Sequence, residues 1–384
     1  MRRSLSIALS LCLLPTVALA ERDYGGQEAG GRPPSFFLDA GPLSVTLSGL
    51  AQVQGAVYVG DDALLSDGDA AENAGFRLRR ARFGAEARYK ERLGLGVEVD
   101  LLESDGNALH EAWVGGEAEY ALAYIGLVKV PFSRSALIAS EDLALSERPL
   151  GISAMAPFQQ LGLLIGGKAW DERIRLLFGT FNGLQRGKTF ASGWSRFADA
   201  SGDATLGNRY GGISLSTRLD VEPLGVLSKG SSDLDHSTKP LFGVGGGFLY
   251  NHGETLRGWS FSGDLAFKWA GASLLAEYVQ DRSNPVDEPT QETKAIAELN
   301  RSAFVVDLGY APIAKRLDVA VQFEMVDENT DIEDEGDFFG IAGAVSMYAY
   351  GGHFKYQLFY QHRQERHGSA LKNDLCLLQV EGRF

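Results

Sequence analysis

The chain has 384 residues and a formal net charge of -14 at neutral pH, which argues against nucleic acid as a partner. It is rich in glycine, with 47 residues, and its mean hydropathy is -0.09. Beyond residue 20 no apolar run reaches the roughly 18 residues that a membrane-spanning helix needs, so a chain of this kind could cross a bilayer only with strands.

Residues 1–20 have the features of a secretory signal peptide. Arg2 and Arg3 form a basic start, an apolar stretch follows, and Ala18-Leu19-Ala20 forms a small-residue cleavage site. We therefore expect the protein to be exported.

The exported part divides into two regions. Residues 21–42 are rich in Gly and Pro and are predicted to form a flexible periplasmic lead-in. Residues 43–384 are predicted to form a single domain, because no linker interrupts their repeating pattern. Cys376 is the only cysteine after residue 20, so this region has no intramolecular disulfide.

From residue 43 onward, apolar and polar residues alternate. In one segment Leu95, Val97 and Val99 fall on one face, while Glu98 and Asp100 fall on the other. This period of two is that of a strand with one apolar and one polar face. About 16 such strands predict an all-β fold, a transmembrane antiparallel β-barrel with lipid outside and water inside.

An arginine-rich strand follows the first long loop. Arg80, Arg82 and Arg88 share a face that is opposite to apolar residues. Arginine on the lipid face at mid-bilayer costs roughly 2–4 kcal/mol, so these three side chains are predicted to line the lumen. Arg77 and Arg79 fall in the other register, which places them at the membrane rim or beyond a bulge.

Two roles are open for the lumenal arginines. A row of guanidinium groups across a water-filled bore would attract anions by focusing the potential within low-dielectric walls. Alternatively, the arginines would pair with Glu86, Glu98 and Asp100 on the same and neighbouring strands and only stiffen the barrel.

The connections between strands are of two lengths. Short connections, at residues 89–92 and 311–316, suit periplasmic turns. Long polar connections, at residues 228–239, 281–300 and 327–337, suit external loops.

The last ten residues form a strand with an apolar face that ends in Phe384. Such a strand would pair with the first one and leave no open edge. It also resembles the C-terminal signal by which bacterial outer-membrane proteins are recognised for assembly. We therefore expect the barrel assembly machinery to bind Phe384.

Several motifs resemble the phosphate-selective porin O and P family of Gram-negative outer membranes. They are Phe76–Phe83, Gly126–Ser133, Ser140, Glu147–Pro149, Ala156–Pro157, Gln160–Gly162 and Gly179–Gly183. The resemblance implies a 16-stranded homotrimer in the outer membrane. It also implies that the loop at residues 133–160 folds into the lumen and narrows it.

The resemblance further implies that cationic side chains in this passage bind anions, chiefly phosphate or polyphosphate. With Arg88 from the strand pattern, the candidate pore-lining residues are Arg80, Arg82, Arg88, Lys129, Arg134 and Arg148. The sequence departs from the family because the inward loop has no lysine and contains Glu141, Asp142 and Glu147.

The predicted function is passive diffusion of small hydrophilic, mainly anionic solutes through a porin surrounded by outer-membrane lipid and lipopolysaccharide. This function needs no catalytic residue, cofactor or metal. A non-conducting adhesin or structural barrel is an alternative, favoured if the inward loop fills the lumen. An outer-membrane hydrolase is another, although the sequence has no Gly-x-Ser-x-Gly motif and its six histidines show no metal-binding spacing.

Overall fold

The computed structural model describes residues 36–59, 74–102, 108–186, 190, 193–194, 211–287, 298–333, 336–367 and 374–384. The predicted signal peptide and residues 21–35 of the predicted lead-in lie outside these ranges. In the described ranges no helix is both long and apolar enough to cross a membrane.

The strands, in chain order, are β1 (Phe36–Ala40), β2 (Leu43–Val59), β3 (Gly75–Tyr89), β4 (Leu93–Asp100), β5 (Leu109–Glu117), β6 (Ala121–Lys129), β7 (Gln159–Ala169), β8 (Ile174–Asn182), β9 (Ile213–Val221), β10 (Leu241–His252), β11 (Leu256–Trp269), β12 (Ala272–Pro285), β13 (Leu299–Ile313), β14 (Leu317–Asp327), β15 (Phe338–Ala349), β16 (Phe354–Glu365) and β17 (Asp374–Arg383). Two short helices, α1 (Arg134–Leu137) and α2 (Leu150–Met155), lie between β6 and β7.

The strands β2 to β17 form a closed barrel of 16 antiparallel strands. Each strand pairs with the next along the chain, and β17 pairs with β2. The predicted fold class is therefore confirmed. Closure removes the open edges that would otherwise expose unpaired backbone groups.

The strand β1 continues the line of β17 along the same edge of β2. The pairing of β17 with β2 reaches Leu50, and β1 pairs with Leu43–Leu47. At the point between these two pairings, Gly49 of β2 and Phe384 exchange two backbone hydrogen bonds of 3.0 and 3.1 Å. The end of the predicted flexible lead-in is thus a strand, because its backbone completes the edge that β17 leaves open.

The two faces of the barrel follow the predicted alternation. Val97 and Leu378 point outward and are exposed, whereas Gln379 and Glu381 point inward and are buried. The outer surface is consequently an apolar band of the kind that faces lipid in transmembrane barrels.

A β-bulge lies in the arginine-rich strand β3, which is one of the two alternatives that the sequence left open for Arg77 and Arg79. Gln52 of β2 is opposite Arg80, but the next residue, Val53, is opposite Leu78, which leaves Arg79 as the extra residue. A bulge of this kind re-aims the side chains on the bulged strand. It turns both Arg77 and Arg79 towards the lumen.

The connection between β6 and β7 folds into the barrel and is called the constriction loop, residues 130–158. Its predicted range was 133–160, but β7 already begins at Gln159. Ile152 and Met155 of α2 are fully buried in an apolar cluster that includes Val279 and Val326 of the barrel wall. Apolar side chains at these inward positions hold the loop against the wall.

The two ends of the barrel differ in the length of their connections. One end carries the short turns, such as residues 90–92 and 270–271, and is called the short-turn end. The prediction that residues 228–239 form an external loop is wrong, because β9 and β10 are joined at the short-turn end. Length and polarity alone do not determine the end at which a connection lies.

Candidate functional site in the barrel lumen

Glu147 of the constriction loop contacts three arginines of β3. Its carboxylate accepts hydrogen bonds of 2.8 and 3.0 Å from Arg79 and lies 3.5 Å from Arg77 and 3.7 Å from Arg80. Gln54 of β2 donates a further hydrogen bond of 3.1 Å. The bulge is what allows adjacent residues of one strand to reach the same carboxylate.

The pKa of Glu147 reflects this environment. Burial raises the pKa, but the positive charges of Arg79 and Arg80 and the hydrogen bonds from Arg79 and Gln54 outweigh it and lower the pKa from 4.5 to about 2. Glu147 is therefore ionised at neutral pH and ties the loop to β3.

Arg134 of α1 anchors the beginning of the loop to the opposite part of the wall. Its guanidinium donates to Asp264 at 2.5 Å, Asp220 at 3.0 Å and Glu222 at 3.1 Å. Burial lowers the pKa of Arg134, but the charges of Asp264 and Asp220 outweigh it and the pKa is raised. Because three carboxylates bind the guanidinium group of Arg134, this residue holds the beginning of the loop to the wall.

A glycine on β10 makes room for the start of the constriction loop. A Cβ atom on Gly247 would lie 2.2 Å from the carbonyl oxygen of Phe132, which no real side chain tolerates. That carbonyl oxygen accepts hydrogen bonds of 2.8 Å from Arg218 and Ser262. Glycine at position 247 therefore permits the close approach of the loop backbone.

The middle of the loop is bound to β16 and β17, the last two strands before the barrel closure. Lys355 and Gln357 of β16 each donate a hydrogen bond of 2.7 Å to a loop carbonyl group. Asp142 accepts a hydrogen bond of 3.1 Å from Arg383 of β17. The loop thus crosses the bore and is attached to several parts of the wall.

The remaining predicted pore-lining residues are also engaged within the protein. Arg82 donates to Asp100 at 2.8 Å, and Arg88 is paired with Glu86. These are the pairs that the stiffening interpretation expects.

Two predicted residues bind backbone carbonyl groups of the constriction loop. Lys129 donates to Leu137 at 3.1 Å, and Arg148 donates to Ser135 at 3.2 Å and to Ile138. They stabilise the loop conformation, which sequence patterns could not indicate because the loop has no regular period.

The lumenal charges differ in exposure between the two sides of the barrel. The side chains of Arg77, Arg79 and Glu98 on β3 and β4 are 31%, 36% and 32% exposed. On the far wall, Glu277 and Glu324 are each only 1% exposed, because backbone N–H groups of the constriction loop lie over them at 3.0 and 3.4 Å. The water-accessible side of the bore is therefore the side of β3 and β4.

Several residues of this site were not predicted. Arg77 and Arg79 were placed in the wrong register for the lumen unless a bulge intervened, and Asp220 and Asp264 were not connected with Arg134. Such contacts join residues far apart in the chain and have no local signal. Within the described ranges, no group of three or more His, Cys, Asp or Glu residues could hold a metal ion.

The fold is similar to solved outer-membrane proteins at low sequence identity. The outer membrane channel DcaP of Acinetobacter baumannii has 12% identity and a TM-score of 0.59, covering 92% of this chain and 100% of that chain. OmpF of Salmonella typhi, in complex with daunomycin, has 11% identity and a TM-score of 0.59, covering 91% and 100%. OmpT of Vibrio cholerae has 10% identity and a TM-score of 0.58, covering 91% and 100%.

No family model matches the sequence, and no curated protein matches it. The structural likeness therefore supports the closed-barrel fold alone, and the function has to be inferred from the lumen.

Proposed function

We propose that the protein is a passive channel in the outer membrane of a Gram-negative bacterium. Small hydrophilic solutes cross through the part of the lumen along β3 and β4. The observation that carries this proposal is the partial exposure of Arg77, Arg79 and Glu98 inside a closed barrel. Charged side chains that remain hydrated at the constriction line a path for water and dissolved solutes.

The outer surface and the structural likeness support the same proposal. The outward apolar band suits a lipid environment, with lipopolysaccharide at its outer rim. One of the similar structures, DcaP of Acinetobacter baumannii, is an outer membrane channel. Export through residues 1–20 and recognition of Phe384 by the assembly machinery complete the proposed route to the membrane.

The charge of β3 favours small anions, such as phosphate or polyphosphate, as solutes. The strand carries five arginines, Arg77, Arg79, Arg80, Arg82 and Arg88. Among the described residues, Glu147, Asp100, Glu98 and Glu86 pair with members of this group. Because five guanidinium groups, whose shape suits phosphate, line this side of the bore, we expect a weak preference for anions.

A homotrimer is the proposed assembly. One structural neighbour, OmpT of Vibrio cholerae, was solved in a trimer form with 10% identity and a TM-score of 0.57. The resemblance of the sequence to phosphate-selective porins implies the same assembly. Light scattering of the detergent-solubilised protein should give three times the mass of one chain, and a monomeric mass would contradict this part of the proposal.

Liposome swelling tests the channel function. Vesicles containing the refolded protein should swell in isotonic solutions of small sugars and faster in solutions of small anions, whereas empty vesicles should not. Equal swelling rates of vesicles with and without the protein would contradict the proposal.

A closed structural barrel is the second candidate. It is favoured by the attachment of the constriction loop to opposite walls, through Glu147 on one side and Arg134 on the other. In that case the protein would insert into vesicles, as protease protection would show, without any swelling.

A further inference from the structure

The connection between β9 and β10 is a second segment that folds into the bore, and we call it the inner turn, residues 222–240. It starts at the short-turn end, which in transmembrane barrels is the periplasmic end. Turns at this end otherwise join neighbouring strands directly. The inner turn is much longer, and most of its residues are at least partly buried.

The inner turn is fixed to the barrel wall by polar contacts. The ammonium group of Lys268, an inward residue of β11, donates to the carbonyl and hydroxyl oxygens of Ser228 at 3.0 and 2.8 Å. The carboxylate of Asp233 accepts hydrogen bonds from the backbone of Ser237 and, at 2.8 Å, of Gly271. These bonds hold the segment against β11 and the turn that follows it.

The inner turn also meets the constriction loop directly. The backbone N–H of Ser231 donates to the carbonyl oxygen of Asp142 at 3.1 Å. The hydroxyl oxygen of Ser231 in turn accepts a hydrogen bond of 2.7 Å from the backbone of Ala144. The loop from one end of the barrel and the turn from the other end are thus bonded to each other inside the lumen.

An apolar cluster reinforces this contact. Leu227 of the inner turn is buried with Ile138 and Leu143 of the constriction loop and with Ala266 and Leu275 of the wall. Gly243 of β10 makes this possible, since a Cβ atom there would lie 2.8 Å from Leu227. A small core inside the bore therefore joins both inward segments to the wall.

We propose that the inner turn is a second constriction element, which locks the constriction loop against the far wall and sets the size limit of the channel at its periplasmic mouth. This inference rests on the proposed channel function. Because both inward segments lie against β11 to β14, we expect solutes to follow the path along β3 and β4. Loosening the lock should widen the path without changing the barrel.

A leucine pair in the inner turn tests the lock with little risk to folding. Leu227→Ala removes a buried side chain of the shared core, whereas Leu224→Ala removes a side chain that is 54% exposed in the same segment. We expect Leu227→Ala to raise the single-channel conductance and its fluctuations, and Leu224→Ala to behave as the wild type. Equal behaviour of the two variants would contradict the proposal.

Shortening the inner turn should raise the conductance more than Leu227→Ala does. When residues 226–238 are replaced by a short Gly-Ser turn, the conductance should rise about twofold or more, because pore cross-section governs conduction. Larger sugars should then enter vesicles that exclude them in the wild type. Unchanged conductance and size limit would overturn the inference.

A disulfide tests the contact itself. A Cβ atom on Gly230 would lie 3.7 Å from the Cβ of Asp142, close to the mean of about 3.8 Å in disulfides. In a Cys376→Ser background, Gly230→Cys with Asp142→Cys should cross-link under mild oxidation. The current through the oxidised channel should then fluctuate less than the current through the same protein after reduction. Failure to cross-link in the folded barrel would contradict the proposed contact.

These outcomes separate the inference from the proposed function. If the wild type does not conduct but the shortened variant does, the inner turn is a plug and passive diffusion through the unmodified protein is refuted. If the wild type conducts and all the variants match it, the channel function stands and the second constriction is refuted.

Discussion

Single arginines of β3 determine the electrostatic character of the open side of the lumen. The side chains of Arg77 and Arg79 are both about a third exposed, whereas Arg80 is nearly buried behind them. Because exposed charges act on solutes in the bore, Arg77 and Arg79 should contribute more to ion preference than the buried member of the group.

The double variant Arg77→Gln with Arg79→Gln should shift the reversal potential towards cations, because two positive charges leave the water-filled side of the constriction. Lys90→Gln removes one positive charge at an exposed turn outside the lumen and serves as the control. A reversal potential that is the same in the double variant and the wild type would show that the two arginines are only structural.

The ion pair of Glu147 gives the loop a pH dependence at acidic pH only. Its pKa is about 2 in the folded protein against an ordinary value of 4.5, so its stabilising effect is present above pH 4.5 and is lost as the pH falls towards 2. The protection of residues 144–150 against hydrogen exchange, after correction for the intrinsic pH dependence of amide exchange, should fall below about pH 3 and stay constant between pH 5 and 8.

The variant Glu147→Gln is the control for this dependence. Above pH 4.5 its protection should be lower than that of the wild type, by a factor of about 5–30 for a loss of one or two kcal/mol, and this protection should not fall further on acidification. Loosening of the wild-type loop between pH 5 and 7 would contradict the role of Glu147.

The alternation on the strands could be predicted from the sequence, whereas the bulge was only one of two alternatives. Arginine is so unfavourable on the lipid face that Arg80 and Arg82 indicate which face of β3 points inward, and Arg77 then had to lie either at the membrane rim or beyond a bulge. The partners of these arginines could not be predicted. Glu147 reaches β3 only because the loop crosses the bore, and no local pattern encodes that path.

At the scale of elements, β10 is the strand that accommodates both inward segments. Its inward positions 243, 245 and 247 are all glycine. Glycine is unfavourable inside strands unless another backbone approaches closely, which is the case at Gly247. The glycine run is the one sequence signal that could have indicated where the constriction loop attaches.

Gly247→Ala should displace the start of the constriction loop, since the new Cβ atom would lie 2.2 Å from a backbone oxygen. Overpacking of this kind costs about 1–3 kcal/mol. Gly246→Ala is a matched control, because the Cβ atom at that position has 3.5 Å to its nearest neighbour. Thermal unfolding and exchange of the loop should distinguish the two variants, and equal stability would contradict this attachment.

Connections were the least predictable elements. The inner turn is polar and long, which is typical of an external loop, yet it lies at the short-turn end. Its polar groups are satisfied by inward side chains such as Lys268 and Asp318. Polarity therefore did not distinguish contact with bulk water from contact with a polar bore.

At the scale of the whole molecule, the barrel depends on the pairing of its two ends. The ring of Phe384 covers Gly49, and a Cβ atom on Gly49 would lie 2.2 Å from that ring. The apolar terminal strand predicted this closure, whereas the contribution of β1 to the same edge was not predicted. The short strand β1 lies in a Gly- and Pro-rich region whose alternation is too brief to recognise.

Gly49→Val should displace the ring of Phe384 and so weaken the closure. Gly343→Val places the same side chain on β15, where its Cβ atom has 3.7 Å to the nearest neighbour. The first variant should unfold at a lower temperature than the second in detergent. If both unfold at the same temperature, Phe384 does not hold the barrel closed.

The central claim is that a water-filled path remains along β3 and β4 beside the constriction loop. Single-channel recording of the refolded wild-type protein under a salt gradient tests it most directly. We predict discrete, ohmic conductance steps with a reversal potential that weakly favours anions. A barrel that inserts into the bilayer without conducting would contradict the account.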